Sequence, residues 1–227
     1  MRCGASRPIS KRGKPSNAEM APNLQQLLTP ETTVLLTQEC QRGVIGPDSM
    51  VPELAAAARD SGALANAARL VHAARAARIG VIHALAARRP DGRGANTNAR
   101  LFIGVARHRE QQWLGTDAAQ PVEEFGHDDW DITSIRLHGL SPIAGQDVDG
   151  LLRNLGCRTV VIVGVSTNVA IPNAVFDAVN LGYQVVVPVD AIAGVPLGYT
   201  DILVRHTLSL VATTVSTDEV LACWPAA

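Results

Sequence analysis

The sequence predicts an α/β fold: a doubly wound, mostly parallel six-stranded sheet with helices on both faces, in a Rossmann-like three-layer arrangement. Three observations predict it. From residue 32 onward, short β-branched runs alternate with amphipathic helical stretches. Arg158-Thr-Val-Val-Ile-Val-Gly164 is a near-continuous apolar run, the pattern of a strand buried on both faces. The helical stretches between runs are long enough for right-handed crossovers, which join parallel neighbours.

The elements follow in order. Thr33-Val-Leu-Leu-Thr-Gln38 is the first strand. Residues 65–78 form a helix, with Leu64, Ala68 and Val71 at helical spacing, and lead into Ile79-Gly-Val-Ile-His83. Asp131-Ile-Thr-Ser-Ile135 is the third strand, and a helix over 147–155 precedes the fourth at 158–164. A helix over 169–181 ends at Gly182, a residue suited to a C-cap. Tyr183-Gln-Val-Val-Val-Pro188 is the fifth strand, and a helix around 200–210 precedes the sixth, Val211-Ala-Thr-Thr-Val215. Residues 86–98 are polar, arginine-rich and glycine-containing, which reads as a binding loop or lid.

Composition narrows the function classes. A chain of 227 residues, 47% hydrophobic and 18% charged, can bury one substantial core. It reads as a disordered basic tail over 1–30, with Met20 as an alternative start, and one domain over 31–227. A net charge of −1 gives no field for nucleic acid or an anionic membrane, which leaves a small molecule or a second copy as partner. No apolar run reaches the ~18 residues of a membrane span, and no apolar stretch follows the basic start as in a secretory signal. Cys3, Cys40, Cys157 and Cys223 are scattered without zinc spacing, as reduced thiols of a cytoplasmic protein. The dinucleotide fingerprint, the P-loop, G-x-S-x-G and H-E-x-x-H are missing, and no metal or cofactor is implied.

Ligands of such sheets bind at the carboxyl ends of the strands, near the switch in strand order. Three of these ends carry chemistry. Glu39, in Thr37-Gln-Glu-Cys-Gln41, is a carboxylate against apolar walls and a candidate acid or base, with Gln41 beside it. Arg136 follows the third strand and His138 the arginine, so a guanidinium and an imidazole reach the same rim. Gly164-Val-Ser-Thr-Asn-Val-Ala-Ile-Pro-Asn173 is a strand-to-helix turn whose free N–H groups form an anion or oxyanion site. If Glu39 faces the cleft, alternation along the strand turns Cys40 into the core.

These segments resemble the isochorismatase-like hydrolase family, which includes nicotinamidases and other amidohydrolases. That family has an aspartate in L-L-x-x-D-x-Q after its first strand; Leu35-Leu-Thr-Gln-Glu-Cys-Gln41 puts Glu39 there. It has a lysine after its third strand, where this chain has Arg136. It has a cysteine in G-V-x-T-x-x-C, opening a helix that ends in D-A; Gly164-Val-Ser-Thr-Asn-Val-Ala170, with Asp177-Ala178, puts Ala170 at the nucleophile position. Gly182-Tyr-Gln-Val-Val-Val-Pro-Val-Asp-Ala191 is similar to its G-Y-x-V-x-V-x-x-D-A. The similarity runs over residues 32–215. It implies the fold above, a homodimer or homotetramer, and a cis Val165–Ser166 peptide that aims the N–H groups of Ser166 and Ala170 at one spot. The metal ligands of nicotinamidases are absent, with His83 standing alone.

All three catalytic positions therefore differ from the family pattern. A methyl group cannot form a thioester, and an arginine holds an anion without shuttling protons. Members that cleave the enol ether of isochorismate also lack the cysteine and work by protonation from the acid after the first strand. The resemblance thus implies a hydrolase of a small, anionic metabolite that works without a cysteine. Glu39 is its proton donor or base, Arg136 its electrostatic partner, and His138 a base or substrate contact. Gln41, Ser166, Asn168 and Asn173 are candidate substrate contacts. The density of Arg88, Arg89, Arg93, Asn96, Asn98 and Arg100 fits a carboxylate clamp as well as a solvated face. The alternative is a catalytically silent homologue that binds a small molecule or protein partner through the same cleft. The surroundings of Glu39 discriminate: an open cavity of several hundred Å3 favours the enzyme, and a saturated ion pair in a filled cleft favours the silent homologue.

Overall fold

The computed structural model describes residues 23–108 and 112–224. Its strands are β1 (Thr33–Gln38), β2 (Gly80–Ala86), β3 (Ile132–Arg136), β4 (Thr159–Val165), β5 (Gln184–Pro188), β6 (Ile192–Ala193) and β7 (Thr213–Val215). The sheet order is β3-β2-β1-β4-β5-β7, every pairing is parallel, and β6 adds to the end of β4. One strand more than the sequence predicts is present. β6 is only two residues long, set beside Gly164 and Val165, and too short to leave a periodic signal.

The helices are α1 (Leu24–Leu27), α2 (Arg42–Ile45), α3 (Pro52–Asp60), α4 (Ala63–Ala76), α5 (Arg100–Arg107), α6 (Val148–Asn154), α7 (Ala170–Asn180), α8 (Leu197–His206) and α9 (Thr217–Leu221). Alternation along β1 divides the core. Leu35 packs with α3 and α4 on one face, while Val34 and Leu36 pack with α6, α7 and α8 on the other. Gly182 stands just past α7 at φ 91°, the left-handed turn expected of it. No described helix is long and apolar enough to cross a membrane.

The expected tail over 1–30 needs correction where it is described. Leu24 and Leu27 pack against the core and Leu28 is fully buried in it, because their spacing gives α1 and its cap one apolar edge. Residues 1–22, including Cys3, lie outside the described residues.

The chain winds outward from β1 to β3 on one side and from β4 to β7 on the other, so the switch lies between β1 and β4. Gly164 makes that junction possible. At its φ of 111°, a Cβ would stand 2.3 Å from the Gln38 carbonyl oxygen and 2.7 Å from Cys40 Sγ. Only glycine lets β4 come so close to the end of β1.

Candidate active site

Glu39 leaves β1 with φ 51°, a left-handed conformation that strains a non-glycine residue by roughly 1–2 kcal/mol. Its N–H still donates to the Ala84 carbonyl (2.9 Å), so strand pairing holds up to the point of reversal. The reversal sends the Glu39 side chain into a cavity of about 380 Å3 and buries Cys40. Burial, reinforced by the charges of Glu39 and Glu124, pushes the Cys40 thiol far above its ordinary value. A buried thiol held protonated is no substitute nucleophile.

Arg136, the last residue of β3, is 6% exposed and sits against Glu39. Its Nη2 donates to Glu39 Oε1, which also accepts from Gln38 Nε2 at 3.3 Å. Its Nε reaches the Gly139 carbonyl at 3.4 Å, and Nη1 is buried without a partner among the described residues. The pair thus rests on one contact, not a bidentate fork. Glu39 Oε2 takes no hydrogen bond among the described residues, and the Glu39 side chain remains 20% exposed.

The turn after β4 forms another wall. The Val165–Ser166 peptide is cis, and among the described residues no backbone carbonyl accepts from the N–H of Ser166 or Ala170. Both residues line the cavity, at the positive end of the α7 dipole. Thr167 donates its N–H to the Ala193 carbonyl (2.9 Å) and pairs its hydroxyl with that of Thr200 (2.9 Å). The Asn168 amide clasps Val195, donating to its carbonyl at 2.6 Å and accepting from its N–H at 2.9 Å. Asn168 therefore lines the cavity but spends its amide holding the turn in shape.

The remaining site candidates separate. His138 lines the cavity, with Nδ1 3.3 Å from Gln146 Nε2. Asn96 lines it too, and its Oδ1 accepts from the Gly139 N–H at 2.7 Å, tying the long loop to the His138 segment. Gln41 is fully buried, and its amide bridges the N–H and carbonyl of Ala86 at 2.8 Å each, so it fastens β1 to β2. Arg89 pairs with Asp91 on the surface at 2.7 Å. Arg89, Asn98, Arg100 and Asn173 are not lining residues. Of the arginines in the expected clamp, only Arg88 lines the cavity; its Nε is buried, and no ion pair engages it among the described residues. Sequence reasoning missed α5, whose Leu101, Phe102 and Val105 line the same cavity.

The family model described as the isochorismatase domain matches residues 33–219. The chain belongs to the isochorismatase family. An uncharacterized isochorismatase family protein of Bacillus subtilis, YwoC, is 32% identical over 80 residues, a match covering 35% of this chain and 42% of that relative's length. An isochorismatase family protein from Desulfovibrio vulgaris superposes with TM-score 0.72 at 24% identity, over 84% of this chain and 98% of the other. N-carbamoylsarcosine amidase from Thermoplasma acidophilum superposes with TM-score 0.64 at 18% identity, over 82% and 97%.

Within this isochorismatase fold, His83 is not among the residues that line the cavity. It is buried, stacked on Phe125, with Nδ1 2.8 Å from Thr37 Oγ1 and Nε2 2.9 Å from Asp131 Oδ2. Arg75 closes the network onto Asp131 (2.6 Å) and the Phe125 carbonyl. Burial acts to raise the Asp131 pKa, but hydrogen bonds from His83 and Arg75, with their charge, hold it below the usual carboxylate value. Among the described residues no group of three or more His, Cys, Asp or Glu is placed to hold a metal ion.

Proposed function

We propose that this isochorismatase-family chain hydrolyses a small, anionic metabolite by acid–base chemistry at Glu39, without a covalent intermediate. The observation that carries this reading is the state of Glu39. It enters an open cavity of about 380 Å3 with one carboxylate oxygen uncommitted, while Ala170 offers only a methyl at the nucleophile position.

An enol ether suits these residues better than an amide. The Glu39 carboxyl delivers a proton to the enol carbon, and water adds to the resulting oxocarbenium. The hemiketal then collapses to an alcohol and a carbonyl compound, and a proton returns to Glu39. Arg136 stays charged throughout and holds anionic character without moving a proton. Arg88 supplies a second fixed cation for the substrate's anionic group. The N–H groups of Ser166 and Ala170 offer donors for negative charge. Amide hydrolysis through a thioester is closed, since Ala170 has no sulfur. A cytoplasmic homodimer or homotetramer belongs to the same proposal; Ile202 and Leu210 supply exposed apolar surface for it.

The test is a turnover screen of small carboxylates, enol ethers and amides, run beside Glu39→Gln. Turnover that disappears in a folded Glu39→Gln protein supports the proposal. Ligand stabilisation with no turnover in either protein overturns it in favour of a binding homologue.

A further inference from the structure

The cavity has more to say about its ligand than the sign of its charge. Its wall is built from Val44, Leu54, Leu101, Phe102, Val105 and Leu140. Three of these belong to α5, a helix with no buried residue, whose Leu101 remains 50% exposed. Apolar side chains at positions 101, 102 and 105 of a helix share one side of it. That side faces the cavity, and the described protein contains nothing that covers it.

The polar groups on the lining divide differently. The amides of Asn96 and Asn168 and Nδ1 of His138 already have partners within the protein. Among the described residues most of the uncommitted polar groups are hydrogen-bond donors, which suit an anionic end. They are Nη1 of Arg136, the guanidinium nitrogens of Arg88, Nε2 of His138, the Ser166 hydroxyl, the Gln112 amide and the N–H groups of Ser166 and Ala170, with the second oxygen of Glu39 the one carboxylate acceptor. A substrate rich in hydroxyls or amides would leave most of its polar groups desolvated against hydrocarbon, at a penalty for each unmade bond. A substrate with one anionic end and an apolar body would satisfy the lining. We infer that the site takes a carboxylate whose remainder is apolar, such as an aryl-alkyl or branched-alkyl acid derivative, with the α5 side chains closing over its body.

This inference rests on the proposed anionic substrate but concerns binding alone, so it stands or falls apart from the chemistry. The experiment is calorimetric titration of the purified full chain with acetate, butyrate, hexanoate and 3-phenylpropionate, beside malate as a polar acid of similar size. The expected result is about fourfold tighter binding for each methylene buried, with malate no tighter than acetate. Phe102→Ala should flatten that gradient, and Arg88→Leu should weaken every acid while keeping the gradient. Malate binding as well as hexanoate, or a gradient unmoved by Phe102→Ala, would overturn the inference. A gradient without turnover of any enol ether would uphold the inference while overturning the hydrolytic reading. Glu39-dependent turnover without the gradient would do the opposite.

Discussion

Two ion-pair clusters flank the end of β1, and they are built from the same kinds of parts. In the first, Thr37, His83, Asp131 and Arg75 form a closed chain in which ring nitrogens, carboxylate and guanidinium all find partners, several of them at 2.6–2.9 Å. In the second, Glu39 and Arg136 meet through a single contact, with a carboxylate oxygen open to a cavity and Nη1 buried and unpartnered among the described residues. Both clusters sit on neighbouring strands, so topology does not separate them. Saturation does. A closed network fixes the fold, while an unsaturated one beside a cavity, on a residue held at φ 51°, is where a ligand can supply what is missing.

The largest effect should come from breaking the closed network. Asp131→Ala leaves Arg75 and His83 buried without their anion, and denaturant unfolding should show a loss of about 3–5 kcal/mol. A loss under about 1 kcal/mol would erase the distinction between the clusters. Next in size is the pH dependence. Asp131 titrates below its unfolded value, so the unfolded chain takes up its proton first as pH falls. Its contribution to stability is therefore full above about pH 4 and is lost as pH drops through the lower folded value. Asp131→Asn should flatten that acid limb relative to the parent; an unchanged limb would show that Asp131 does not carry it.

The open cluster should behave in the opposite way. Arg88→Leu removes a cation whose Nε is buried without a partner among the described residues, so unfolding free energy should stay within about 1 kcal/mol or rise. Carboxylate affinity in the same protein should fall roughly tenfold or more, as for loss of a charge-assisted contact. Smallest of all, Cys40 should not react with a thiol reagent in the folded protein, because it is buried and held protonated. Labelling of Cys40 at the rate of a free thiol would contradict the placement of the β1 end.

Much of this was legible in the sequence, and the omissions have physical causes. The β1 and β4 runs are apolar on both faces, so their strand ends, and with them Glu39, Ser166 and Ala170, could be placed without coordinates. Arg136 could be brought to the same rim because it directly follows the third strand run, Asp131-Ile-Thr-Ser-Ile135. Three features could not be read. Leu24, Leu27 and Leu28 lie behind a polar, basic stretch that masks their spacing. α5 begins at an N-cap, Ala99, with no side-chain bond and contains Gly104, so its local signal is weak and its apolar side makes sense only against the cavity. Arg88 is distinguished from Arg89 by a bridge with Trp113, which sends neighbouring side chains in opposite directions, and that bridge spans a long separation in sequence. Gln41 neighbours Glu39 in the sequence, but its amide serves the backbone of Ala86 instead of the cavity.

The most direct measurement is the turnover rate of Glu39→Gln read beside its unfolding free energy. The substituted amide keeps an oxygen to accept from Arg136, so stability should move by less than about 1.5 kcal/mol while turnover falls by roughly 10²–10⁴-fold. Unchanged turnover, or a loss of activity matched by loss of the folded state, would contradict the view that the unsaturated cluster is the one kept for chemistry.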